Sequence, residues 1–262
     1  MILDMFHLKD RVAIITGAGR GIGAAIAKAF AEVGADVVIG ARTEEQLLEV
    51  AAAVKKAGRR AAVVTGDLSA RAGLEKLVLR ALDEFGRLDI IINNVGGSLP
   101  MPFLDTAEEH FNEAFRWNVT TAFNLTQLAV PHILKQGGGS VINIASAIGR
   151  FPDRGFSAYG TAKAALVHLT KNLACDLAPK IRVNAIAPGA IATWALDIVL
   201  TNESIKKQMV ALTPLKRIGV VEDIAAGAVY LASPASAYVT GRVIDIDGGL
   251  HRANLEMGIP DL

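Results

Sequence analysis

The chain has 262 residues, 52% of them apolar, and its 27 Lys and Arg almost cancel 26 Asp and Glu to leave a net charge of +1. That content suffices for a large core and excludes a disordered chain. The balanced charge supplies no basic stripe for nucleic acid or an anionic membrane surface, and no run of about twenty apolar residues is present to span a bilayer. The first ten residues lack the cationic region and apolar core of a secretory signal, so a cytoplasmic protein is expected. Cys175 is the sole cysteine, which rules out an intramolecular disulfide.

In chain order, short β-branched runs alternate with segments of helical periodicity. Strands are predicted over 12–15, 36–39, 61–65, 88–92, 140–144, 181–186 and 243–246. Helices are predicted over 21–33 and over 43–56, the latter with Thr43 as N-cap and Gln46 closing a capping box. Nearly continuous apolar strands require burial on both faces, the condition of a parallel sheet. The pattern predicts one α/β domain, a doubly wound Rossmann-type fold with seven parallel strands. Residues 190–212 form a less regular excursion, expected as a lid over substrate. Residues 247–262 form a tail that covers either the site or a partner subunit.

Thr16-Gly17-Ala18-Gly19-Arg20-Gly21-Ile22-Gly23 lies between the first strand and first helix. Glycines there let the backbone approach a pyrophosphate, and the helix N-terminus offers free N–H groups. The second strand ends at Ala41-Arg42 without the carboxylate that would bind the ribose of NAD. Arg42, with Arg20 in the loop, suits a 2′-phosphate instead and favours NADP(H) over NAD(H). Asp67, beside Leu68 after the third strand, serves either as an adenine contact or as a cap for the next helix. Asn94 and Gly96, in Asn93-Asn94-Val95-Gly96-Gly97, either stabilise that loop or line the cofactor.

Ser146 ends the fifth strand. Tyr159 and Lys163 follow, four residues apart on an apolar helix running to about Leu177, and therefore on one face. A lysine ammonium beside a phenol is expected to lower its pKa toward that of a working acid–base group. Ser146 can donate to a substrate oxygen as charge develops.

These stretches, with Asn118 and Pro188-Gly189, resemble the short-chain dehydrogenase/reductase family over nearly the whole chain. The resemblance implies hydride transfer between a nicotinamide dinucleotide and a small-molecule carbonyl or secondary alcohol. It implies Tyr159 as proton donor and acceptor, and Lys163 also bonding the nicotinamide ribose. Asn118 would hold a relay water, Asp67 would meet the adenine, and Ile191 and Thr193 would lie near the carboxamide. It also implies a homotetramer, formed partly through the active-site helix and the C-terminal segment. Asn94-Val95-Gly96-Gly97, Pro102-Phe103 and Thr213-Pro214 resemble bacterial 7α-hydroxysteroid dehydrogenases, which implies a bulky apolar substrate. Val95 departs from the family's usual alanine. A 3-oxoacyl-carrier-protein reductase is the alternative, and a non-catalytic dinucleotide sensor a third reading.

Trp194, in the expected lid, is assigned to either substrate contact or core packing, and Trp117 to packing beside Asn118. The scattered histidines form no ligand set, so no catalytic metal is expected. His168 is read as a packed or interface residue, Cys175 as a buried small hydrophobe, and Lys55, Lys56, Arg59 and Arg60 as a solvated helix end.

Overall fold

The computed structural model describes residues 1–194, 196, 201–255 and 258–261. Seven strands, β1 (Val12–Thr16), β2 (Asp36–Ala41), β3 (Ala61–Thr65), β4 (Ile90–Asn93), β5 (Gly139–Ile144), β6 (Ile181–Pro188) and β7 (Val243–Ile246), form one sheet in the order 3-2-1-4-5-6-7. Every pairing is parallel. The order reverses between β1 and β4, which opens a crevice beyond their carboxyl ends.

Alternate residues of the strands feed two cores. Ala13, Ile15, Val37, Ile39, Ile90, Ile92 and Ile142 meet α1 (Gly21–Glu32), α2 (Glu44–Lys56) and the late helix Val221–Ala232 through Ile26, Phe30, Leu47, Val50 and Ile224. Val12, Ile14, Val38, Ile91, Val141 and Val183 meet α3 (Arg71–Phe85), α5 (Thr121–Lys135) and α6 (Ser157–Leu177) through Leu74, Leu77, Leu125, Ile133 and Ala174. Strands covered on both sides must be apolar at both parities, which is why the runs read as continuous. Helix α4 (Glu108–Phe115) passes into α5 through a π-helical turn, Arg116–Thr120.

The expected lid contains α7 (Glu203–Leu212), and Val221–Ala232 is α8. Residues 195 and 197–200 of the lid, and 256, 257 and 262 of the tail, lie outside the described residues. Among those described, no helix is long and apolar enough to cross a membrane.

Three local expectations are corrected. Thr43 occupies the N-cap of α2 without a side-chain hydrogen bond, and the Gln46 side chain lies against the glycine loop instead of closing a capping box, its Oε1 3.0 Å from where a Cβ on Gly19 would lie. Lys55 and Lys56 end α2, but Arg59 and Arg60 are not merely solvated: both bind Asp36, at 3.0 Å each, and Arg60 stacks on Phe85. Cys175 is exposed, because α6 turns its Ala174 side, not the next position, to the core. His168 is also exposed in the single chain, and Trp117 is half-buried.

Candidate active site

Parallel strands deliver their carboxyl ends to one edge, where the sequence-predicted site residues meet. The glycine loop leaves β1. Gly17 and Gly21 take φ of 65° and 58°, in the left-handed region that glycine tolerates. A Cβ on Gly23 would lie 2.4 Å from the Gly17 carbonyl oxygen, so the loop closes tightly on the first turn of α1. Arg20 is the N-cap, extended and without a side-chain bond to that turn. The amides of Gly21, Ile22 and Gly23 therefore have no intrahelical acceptor and form a cradle that fits a pyrophosphate.

Asn94 staples this loop to β4. Its Nδ2 donates to the carbonyls of Thr16 (2.9 Å) and Gly17 (3.3 Å), while Thr16 Oγ1 accepts from the amides of Asn94 and Val95. Of the two roles open to Asn94, loop stabilisation is the one its amide performs. Val95 packs toward the same turn, its Cγ2 3.4 Å from a Cβ on Gly17.

Arg42 stands exposed after β2. Asp67 is held below the usual carboxylate range chiefly by the Ser69 amide and hydroxyl, each at 2.8 Å, with Arg116 and Arg42 adding attraction. Asp67 thus forms a turn ahead of α3, whose N-cap is Ala70. Leu68 is 2% exposed, so its side chain belongs to the core and only its main chain is open to a ligand. The Arg20 guanidinium lies 3.9 Å above the Trp194 ring. Trp194 is 59% exposed, which excludes core packing for it. Thr193 rests beside Gly21, with Cγ2 3.6 Å from a Cβ built there. Ile191 bridges to Gly219 and buries its side chain, and Gly189 passes so close to Asp247 that a Cβ would lie 2.7 Å from its Cα. Pro188 is the last residue of β6.

The chemical groups converge on α6. Lys163, 3% exposed, donates from Nζ to the Ile144 carbonyl at 2.8 Å and lies 5.7 Å from the Tyr159 ring centre. Burial pushes the Tyr159 phenol up, against a hydrogen bond from Ser146 that favours the phenolate. Burial also lowers Lys163 to about 7. The expected lowering of the tyrosine by the lysine is therefore not what governs the pair here: desolvation opposes both charged forms. Asn118 is fully buried in the π-helical turn. Its Oδ1 accepts from Gly97 N at 2.9 Å, and its Nδ2 donates to Gly97 O and Ala114 O. Gly96 fits only because it lacks a Cβ, which would lie 2.5 Å from Asn118 Oδ1 and 2.9 Å from Lys163 Nζ.

Two supports were missed in the sequence. One is the π-helical turn, a feature common at functional sites but without a periodicity signal. The other is a buried polar chain: Asn93 donates to Thr126 and Asn143, and Asn143 donates to Thr170. It ties β4 and β5 to α5 and α6. Among the described residues, no cluster of three or more His, Cys, Asp or Glu could hold a metal.

Comparison with known proteins bears on the family and the fold. A family model described as enoyl-(acyl carrier protein) reductase matches residues 17–251. The chain is 54% identical to an uncharacterized oxidoreductase of Mycobacterium tuberculosis over 263 residues, covering 100% of both. It is 40% identical to the 7α-hydroxysteroid dehydrogenase of Escherichia coli K12, over 94% of this chain and 96% of the relative. A solved 7α-hydroxysteroid dehydrogenase complexed with NADH and 7-oxo glycochenodeoxycholic acid superposes with a TM-score of 0.91, at 40% identity over 94% of this chain and 96% of that one. A gluconate 5-dehydrogenase from Burkholderia cenocepacia, in complex with NADP and tartrate, gives 0.89 at 31% identity over 95% and 98%.

Proposed function

Since this chain belongs to the short-chain dehydrogenase/reductase family of NAD(P)-dependent oxidoreductases, we propose that it interconverts a bulky apolar ketone, a hydroxysteroid type foremost, and its secondary alcohol with NADP(H). The observation that carries this is the meeting of Ser146, Tyr159 and Lys163 at the strand edge that also holds the open N-terminus of α1. The bound dinucleotide supplies or accepts the hydride.

In reduction, Ser146 donates a hydrogen bond to the carbonyl oxygen and Tyr159 Oη gives it the proton. Lys163 holds the ribose hydroxyls and passes a proton back to Tyr159. The Asn118 side chain spends its bonds on Gly97 and Ala114, so in the relay it acts by holding the loop and through its main chain. Gly17, Gly19, Gly21, Ile22 and Gly23 cradle the pyrophosphate. Asp67 and the Leu68 main chain border the adenine, with Asn94 and Gly96 shaping the loop beside them. Pro188, Gly189, the Ile191 main chain and Thr193 border the nicotinamide. The choice of NADP(H) rests on Arg42, which stands exposed where a carboxylate would select NAD. Of the two solved relatives, one is complexed with NADH and the other with NADP. Leu99, Phe103 and Leu104 are exposed on the segment after β4, and with Trp194 they offer apolar surface to a large substrate.

A 3-oxoacyl-carrier thioester is the second reading, supported by 34% identity to a 3-oxoacyl-[acyl-carrier-protein] reductase of Thermotoga maritima. Turnover of a 7-oxo steroid, an aromatic ketone and a 3-oxoacyl thioester, each with NADPH and NADH, separates the two. The steroid with NADPH is expected to give the highest kcat/KM. A preference for the thioester would replace the substrate class, and absent turnover across a broader panel would revive the sensor reading.

A further inference from the structure

The segment that leaves β4 is gripped twice by the rod formed by α4 and the π-helical turn. Asn118, on the turn, holds Gly97 by both its amide and its carbonyl. His110, in the first turn of α4, holds the next two residues: its Nε2 lies 3.0 Å from Ser98 Oγ and 3.1 Å from the Leu99 carbonyl oxygen. Residue 97 meets 118 while residues 98 and 99 meet 110, so the segment and the rod run in opposite directions and three consecutive residues are fixed. Both His110 and Ser98 are half-buried.

The chemistry of this contact is settled by the carbonyl. A carbonyl oxygen only accepts, so His110 Nε2 carries a hydrogen and donates it, and Ser98 Oγ accepts from the same N–H. A ring nitrogen in that state cannot take a proton from a hydroxyl, so Ser98 is not an activated nucleophile and the work of the pair is mechanical. The segment it fastens has the proton machinery at one end, where Gly96 leaves no room for a Cβ between Asn118 and Lys163. At the other end Met101 N donates to the Gly155 carbonyl at 2.9 Å, joining it to the stretch before α6. Between and just beyond these ties stand Leu99, Phe103 and Leu104, each more than 70% exposed.

We propose that His110 is a positioning residue: by fastening Ser98 and Leu99 to α4 it sets where this apolar face stands relative to Tyr159, and so how well a bulky ketone is held. It acts through the segment and touches no reacting atom. The inference rests on the carbonyl-reduction reading above.

The test compares His110→Ala, His110→Gln and Ser98→Ala with the wild type. Hydrogen exchange over residues 97–101 is followed by mass spectrometry, and turnover with NADPH is measured on cyclohexanone, a decalone and a 7-oxo steroid. In His110→Ala, exchange should quicken about tenfold. KM for the steroid should rise about tenfold with kcat held within about twofold, and the rise should be about fivefold larger than for cyclohexanone. Glutamine carries an amide donor at similar reach, so His110→Gln should return exchange and KM to within about threefold of wild type. Ser98→Ala, which leaves α4 intact, should show the same changes at smaller size, and adding it to His110→Ala should bring little further loss. Unmoved exchange, equal losses for every ketone, or a glutamine variant as impaired as the alanine one overturns the positioning role while leaving the reaction class standing. A wild type that reduces none of the ketones defeats the parent reading, and the role of His110 in holding substrate with it.

Discussion

Tyr159 and Lys163 lie one helical turn apart on α6, and burial works against the charge of each. With Lys163 near 7 in the folded chain and about 10.4 when unfolded, the unfolded state holds a proton that the folded one has released between those values. Stability should therefore rise with pH across that window, and below it both states are protonated and the cost is constant. Denaturant unfolding of cofactor-free protein at about pH 7 and about pH 9 should show a larger gain in wild type than in Lys163→Met; parallel slopes would mean that Lys163 titrates normally. Tyr159→Phe keeps the ring and loses the proton. Its kcat should fall roughly 100- to 10,000-fold while NADPH still binds, and near-wild-type turnover would remove Tyr159 from the mechanism. Arg42→Ala should weaken NADPH about tenfold or more and NADH about twofold or less, the difference being the charge-assisted bonds to the 2′-phosphate. Equal losses for both would assign the 2′-phosphate elsewhere. Arg20 is the poorer candidate for that bond, because its guanidinium is stacked on Trp194.

At the scale of elements, two glycines mark where backbone and side chain nearly collide. Gly23 lets the glycine loop close on α1, and Gly96 makes room for Asn118 and Lys163 together. Gly23→Ala forces its Cβ against the Gly17 carbonyl, and the expected cost is about 1–3 kcal/mol of stability along with weaker dinucleotide binding. Thermal melts with and without NADPH measure both, and an unchanged melt would show that the loop relaxes freely. The glycine run was legible because its spacing falls between a strand and a helix. Asn94 was not assignable from sequence, since an amide at a strand end can face a ligand or staple a loop, and only its contacts with the Thr16 and Gly17 carbonyls distinguish the two. The π-helical turn at Asn118 was invisible for a simpler reason: a single widened turn leaves no trace in an otherwise helical pattern.

For the whole molecule, the parallel order 3-2-1-4-5-6-7 gathers segments from six strands at one edge, and that gathering makes scattered motifs into a site. We expect the protein to assemble as a homotetramer through α6 and the C-terminal segment, where exposed His168 and Cys175 lie on the outer side of α6. Light scattering at micromolar concentration should report about four chains, and a monomer would refute it. From the sequence alone came the fold class, the order of strands and helices, the glycine loop between β1 and α1, and the shared face of Tyr159 and Lys163, because each follows from periodicity or from spacing along one element. The folded chain was needed to show that Trp194 stacks on Arg20, that Asn118 clamps Gly97, that burial acts on both Tyr159 and Lys163, and that Ile259 reaches Gly155. Those are contacts between distant segments and the burial they create, which no local pattern encodes.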